Sequence, residues 1–199
     1  MTRVASLAVS LITAAALCAC GESTATNTGN PGTGDPSLPK GIELVRSSLE
    51  RDSTPDVASA ELAGFGDSSR SFALELYAQV KDGDGNLFLS PYSIATAFGM
   101  LYAGANGETK SELMSALHFD LPEPELHAAF NATDLALSSR DGLQLNVVNG
   151  AFGRKGQAFQ APYLDVLAEH YDAGMFATDF GDSEAARKAI NDWVLTQTK

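Results

Sequence analysis

Apolar residues recur at helical spacing over most of the chain beyond residue 64, and alternate at strand spacing in only a few short runs. Over residues 65–80, Phe72, Ala73, Leu76, Tyr77 and Val80 fall on one stripe behind the cap candidates Asp67 and Ser68, which predicts an amphipathic helix. The Asp/Gly run at 81–85 ends it, and Leu87, Phe88 and Leu89 predict a short buried strand. Ser90 followed by Pro91 is a helix start. A serine oxygen caps free N–H groups, and proline at the first helical position loses nothing by lacking its own. Ile94, Ala97, Phe98 and Leu101 continue that helix until the Gly/Asn run at 104–107.

Thr109-Lys110-Ser111-Glu112 reads as a capping box opening a helix that carries Leu113, Ala116 and Leu117. Another helix follows Pro122 and Pro124, marked by Leu126, Phe130 and Leu137 and ending at Ser139. Leu143, Leu145 and Val147 alternate with Gln144, Asn146 and Val148 and predict a strand. Pro162 opens a helix through Tyr171 with Leu164 and Leu167 in register, and residues 175–180 read as a further strand. Ser183 and Glu184 then cap a helix striped by Ala186, Ile190, Trp193 and Val194, with Arg187, Lys188 and Asp192 outward. The fold class is α+β, with helices gathered before the first long strand and no βαβ fingerprint. So few strands bury little on their two faces, so residues 41–199 are expected to fold poorly alone.

The front of the chain has a different texture, with no aromatic residue before Phe65. Arg3, an uncharged small and apolar run over residues 4–19 and then Cys20 make residues 1–20 a secretory signal peptide, too short in its apolar part to span a bilayer. Leu17-Cys18-Ala19-Cys20 is similar to a bacterial lipoprotein box, which makes Cys20 the expected lipidation site. Residues 21–40 have the Gly, Ser, Thr, Asn and Pro composition of a flexible linker. The expected location is secreted, extracellular or cell-envelope, with the membrane reached only through a lipid anchor at Cys20. Both cysteines lie in this front segment, so no disulfide is expected in the domain at 41–199.

Charge removes one class of function. With Lys and Arg at 13 against Asp and Glu at 25, the net charge is −12, and no basic block offers the phosphate contacts of a nucleic-acid binder. Asp82, Asp84 and Asn86 begin an EF-hand pattern that fails at Leu87 and Ser93, and Gly83-Asp84-Gly85 opens a dinucleotide loop that fails at Phe88. His118, His127 and His170 have no metal-ligand spacing and are expected on helix surfaces or ends. Ser37-Leu38-Pro39-Lys40 matches the S-x-x-K of penicillin-binding enzymes, but Pro39 in a Gly/Pro tract denies it the helix that motif needs. Asn131-Ala132-Thr133 is a formal glycosylation sequon in mid-helix. No catalytic constellation, metal site or cofactor is expected, and the chain is not read as an enzyme.

Residues 86–109, NLFLSPYSIATAFGMLYAGANGET, strongly resemble the signature of the serpin family in the pattern N-x-F-x-S-P-x-S-I followed by A-x-G-A-x-G-x-T. N-G-A-F at 149–152 and A-R-K-A-I-N-D-W-V at 186–194 follow in family order. The resemblance implies the serpin fold, helices packed on a large mixed sheet A, with only its N-terminal part present. It implies a suicide-substrate inhibitor whose C-terminal reactive loop is cut by a serine or cysteine protease and inserts into sheet A, trapping the acyl-enzyme. That loop is expected to be missing here, so the fragment itself should not inhibit. Ser90 and Ser93 match the family's shutter serines, and Asn191 matches their partner on the helix crossing sheet A. On the residues alone, Ser90 is equally a helix cap and Asn191 a surface residue. The full-length protein is expected to be a monomer. The competing reading is a non-inhibitory serpin acting as a surface binding or carrier protein. The helix at 124–139 holds no Lys or Arg, so polysaccharide activation is not implied.

Overall fold

The computed structural model describes residues 38–82, 85–139 and 148–197. Its elements run β1 (Glu43–Val45), α1 (Ser59–Val80), α2 (Pro91–Gly104), α3 (Gly107–Ala116), α4 (Glu123–Ser138), β2 (Ala151–Arg154), α5 (Ala161–Tyr171), β3 (Met175–Thr178) and α6 (Ser183–Gln197). The strands form one sheet in the order β1-β3-β2, antiparallel between β1 and β3 and parallel between β2 and β3.

The helices pack around Phe130 of α4. Its ring meets Phe65 of α1 edge-on at 4.8 Å and Phe119 at 5.8 Å, and Leu126 and Ala129 complete the buried face of α4. α2 lies against α1, α4 and α5, which suits its small residues. A Cβ at Gly99 would sit 2.8 Å from the Tyr171 hydroxyl and 3.0 Å from the Phe130 ring, so the helix approaches closely because that atom is absent. β3 is buried along its whole length, as expected of a strand flanked on both sides, and reads as a continuous run rather than an alternation. α6 covers one face of the sheet through Trp193, which packs on Phe152 of β2 and Phe176 of β3 at 5.3 and 4.9 Å. Gly150 permits this, since a Cβ there would meet the Trp193 ring at 2.7 Å.

The structure moves several expected boundaries. α1 begins at Ser59, held at its start by the Ala58 N–H donating to Glu61 Oε2 at 2.9 Å, so Asp67 and Ser68 are interior surface residues rather than caps. Tyr77 and Val80 are exposed, and the inward stripe is Phe65 and Phe72, both buried, with Leu76 partly buried beside them. Residues 86–89 join no ladder among the described residues, and Phe88 is 97% exposed. α3 starts at Gly107, which places Thr109 to Glu112 inside the helix and not at its cap. Asp182, rather than Ser183 and Glu184, caps α6 by accepting from the Ala185 N–H at 3.0 Å. The strand expected at 143–148 falls mostly outside the described residues, and β2 begins at Ala151. β2, α5 and β3 therefore make one short βαβ unit, of which the sequence pattern marks α5 and β3 but not β2, because a four-residue strand carries little periodic signal.

Candidate functional site

At the α2 start, Ser90 has extended backbone and its Oγ accepts from the Ser93 N–H at 3.4 Å, while the two hydroxyls lie 2.9 Å apart. This is the cap that Ser-Pro predicts. Asn191 lies on the exposed side of α6 and makes no hydrogen bond to either serine among the described residues. Cys20 lies outside the described residues.

The polar chemistry of the interior gathers one layer deeper, where α4 meets α5. His127 is 1% exposed, against the expectation of a solvated or capping histidine, because it shares the inner face of α4 with Leu126 and Phe130. Its Nδ1 and the Tyr171 hydroxyl are 2.7 Å apart, and its Nε2 faces Glu123 Oε1 at 3.8 Å. We assign the proton to Nε2, which directs it toward the carboxylate and leaves Nδ1 to accept from the tyrosine O–H. The His170 ring stacks on His127 at 6.0 Å. Burial, followed by the neighbouring His170, pushes His127 down to about 4, and burial also lowers His170. Burial raises Tyr171 well above the ordinary phenol value and lifts Tyr92 and Tyr163 to about 12. At neutral pH these groups are uncharged hydrogen-bonding members of a core.

Next to this layer, between the helices and the sheet, is a cavity of about 400 Å³. Phe130, Tyr171, Phe176 and Trp193 give it aromatic walls, and Arg51 paired with Asp134 at 2.7 Å forms a polar corner. Among the described residues no group of three or more His, Cys, Asp or Glu side chains gathers to hold a metal, and no helix is long and apolar enough to cross a membrane. Asn131 of the formal sequon is fully buried and is hydrogen-bonded through both ends of its amide.

A family model described as "Serpin (serine protease inhibitor)" matches residues 67–199. The chain belongs to the serpin family. It is 34% identical over 162 residues to rat alpha-1-antiproteinase, an alignment covering 78% of this chain and 39% of the rat protein. It is 35% identical over 133 residues to leukocyte elastase inhibitor of Xenopus tropicalis, covering 64% of this chain and 35% of that protein. In fold it is similar to the native-state crystal structure of the thermophilic serpin tengpin, with TM-score 0.64 and 22% identity over 79% of this chain and 40% of that one. The mouse protein-Z dependent protease inhibitor matches with TM-score 0.60 and 24% identity, covering 69% and 39% of the two chains. The serpin chain thus spans about two fifths of the length of the rat and tengpin relatives.

The serpin motif at 86–109 accounts for the α2 start, and both its serines lie within the matched segment. Sequence reading missed the His127, His170 and Tyr171 layer and the Arg51 corner. A signal was present: Glu123, His127, Asn131 and Asp134 recur at helical spacing beside the Leu126 and Phe130 stripe. Only the tertiary fold shows that α5 and the segment before α1 cover that second stripe.

Proposed function

We propose that the full-length serpin is a suicide-substrate inhibitor of a serine or cysteine protease, acting through a C-terminal reactive loop in the portion of its relatives' length that this chain does not span. The carrying observation is the family match at 67–199, joined by relatives named as an antiproteinase and an elastase inhibitor. In this reading the protease attacks the loop, the cut loop enters sheet A as a strand, and the acyl-enzyme is held distorted. The strain stored in the uncut fold drives the insertion. Residues 38–199 without that loop do not inhibit. Ser90 and Ser93 hold the start of α2 beneath the sheet, and Asn191 is their partner from α6 when the sheet is complete. The protein is exported by residues 1–20, held on a membrane by lipid on Cys20, spaced from it by residues 21–40, and works as a monomer that is not itself an enzyme.

The test is a thermal melt of the full-length protein before and after cleavage of the loop. An inhibitor gains substantial stability on cleavage, because the inserted strand adds a ladder to the sheet. An unchanged melting temperature would instead favour a surface binding or carrier protein.

A further inference from the structure

Residues 38–57 lie ahead of the segment matched by the family model. They bring little core of their own: Ile42 is buried against Phe176 and Trp193, Leu38 and Val57 pack partly buried at the two ends, and Leu44 and Leu49 stay exposed. Most of the remaining links are polar. β1 pairs antiparallel with β3, from Glu43 opposite Ala177 to Val45 opposite Met175, and the Thr178 hydroxyl donates to the Gly41 carbonyl at 3.0 Å. Glu43 is ion-paired to Lys155, just past β2. Beyond β1, Arg46 pairs with Asp172 at the end of α5 at 2.6 Å, and the Ser47 hydroxyl donates to Asp165 within it.

Arg51 then reaches across to α4. Its Nε donates to Asn131 Oδ1 at 2.8 Å and its Nη2 to Asp134 Oδ2 at 2.7 Å. The Asn131 amide donates back to the Asp52 carbonyl at 2.7 Å, and the Asp52 N–H donates to the Glu169 carbonyl of α5 at 3.0 Å. One closed set of hydrogen bonds therefore ties this segment, α4 and α5 together, with Asn131 as its buried centre. Leu38, Leu44 and Arg51 also form one wall of the 400 Å³ cavity.

A segment secured by a three-residue edge ladder and polar links, with one fully buried apolar side chain and two partly buried ones, belongs to the low end of local stability and opens before the core does. We propose that residues 38–57 are a latch, a separately opening strap that clamps α4 to α5, covers the outer edge of β3 and closes one wall of the cavity. Opened, it leaves β3 with an unpaired edge and leaves Asn131 only its 3.4 Å bond to the Glu169 carbonyl, so closure is favoured but reversible. This device is independent of the protease reading.

Hydrogen exchange followed by mass spectrometry on the full-length protein tests it. In the unmodified protein, amides at 43–52 exchange through an opening that leaves those of α1 at 65–76 protected. Arg51→Ala speeds exchange at 43–52 by roughly ten- to a hundredfold, the range for a lost hydrogen bond to a charged group, and leaves α1 unchanged. Arg46→Ala does the same to a smaller degree and carries the test if the first variant does not fold. Arg70→Ala, which removes an exposed pair with Asp67 on α1, leaves the strap rates as they were. Equal exchange rates for strap and α1 in the unmodified protein overturn the proposal, as do unaltered strap rates in the folded Arg51→Ala or Arg46→Ala variant.

Discussion

His127 makes the stability of this fold sensitive to mild acid. Its side chain is buried, its one close carboxylate, Glu123 at 3.8 Å, is already engaged by Lys110 Nζ at 2.5 Å, and a second imidazole stacks on it. A charge placed there is poorly compensated, so the imidazole titrates near 4 in the fold against an ordinary 6.5. The folded value lies below the unfolded one, so the unfolded chain takes up the proton first. The contribution is whole above pH 6.5 and is lost as the pH falls toward 4. That gap corresponds to about 3 kcal/mol, most of which falls between pH 7 and pH 4.5. Urea unfolding of the full-length protein and of His127→Gln at both pH values isolates this share, because titratable groups remote from His127 change equally in both. The unmodified protein should lose about 2–3 kcal/mol more than the variant over that interval, and the His127 ring resonances should titrate near pH 4. Equal losses in the two proteins, or a ring midpoint at 6.5 or above, would refute the reasoning.

Three substitutions probe the same core. Phe130→Ala removes the ring around which α1, α4 and α5 pack and should cost about 3–5 kcal/mol by urea unfolding. Gly99→Ala drives a methyl against the Tyr171 hydroxyl and the Phe130 ring, so it should cost about 1–3 kcal/mol and also shift the His127 ring resonances, since Tyr171 is their hydrogen-bond partner. Ser90→Ala should cost about 1 kcal/mol through loss of the α2 cap, while Ser93→Ala, which keeps that cap, should cost less than half as much by the same measurement.

The helices were legible because their signals are local. Ser90-Pro91 fixes the start of α2, and Leu164, Leu167 and Tyr171 fix the face of α5, without reference to any other part of the chain. What escaped is set by tertiary partners. β1 is a three-residue strand with an outer edge, and its existence depends on β3 rather than on a pattern of its own. His127 reads as an ordinary surface histidine until α5 is laid over it, and Asn131 reads as a sequon until Arg51 and Asp52 close on it. Phe88 misled in the other direction: its apolar run suggested a buried strand, yet among the described residues nothing covers it. Of the site residues, the pairing of Ser90 with Ser93 follows from the cap, whereas the role assigned to Asn191 rests on the serpin motif and not on a contact seen here.

The most direct measurement mixes the full-length serpin with a serine protease that cleaves it and separates the products under denaturing conditions. Trapping as an acyl-enzyme exchanges the scissile peptide bond for an ester to the protease's serine, so a band of their combined mass less the released C-terminal piece should persist in denaturant and vanish when that serine is blocked beforehand. Quantitative cleavage with a fully active protease and no such band would contradict the account.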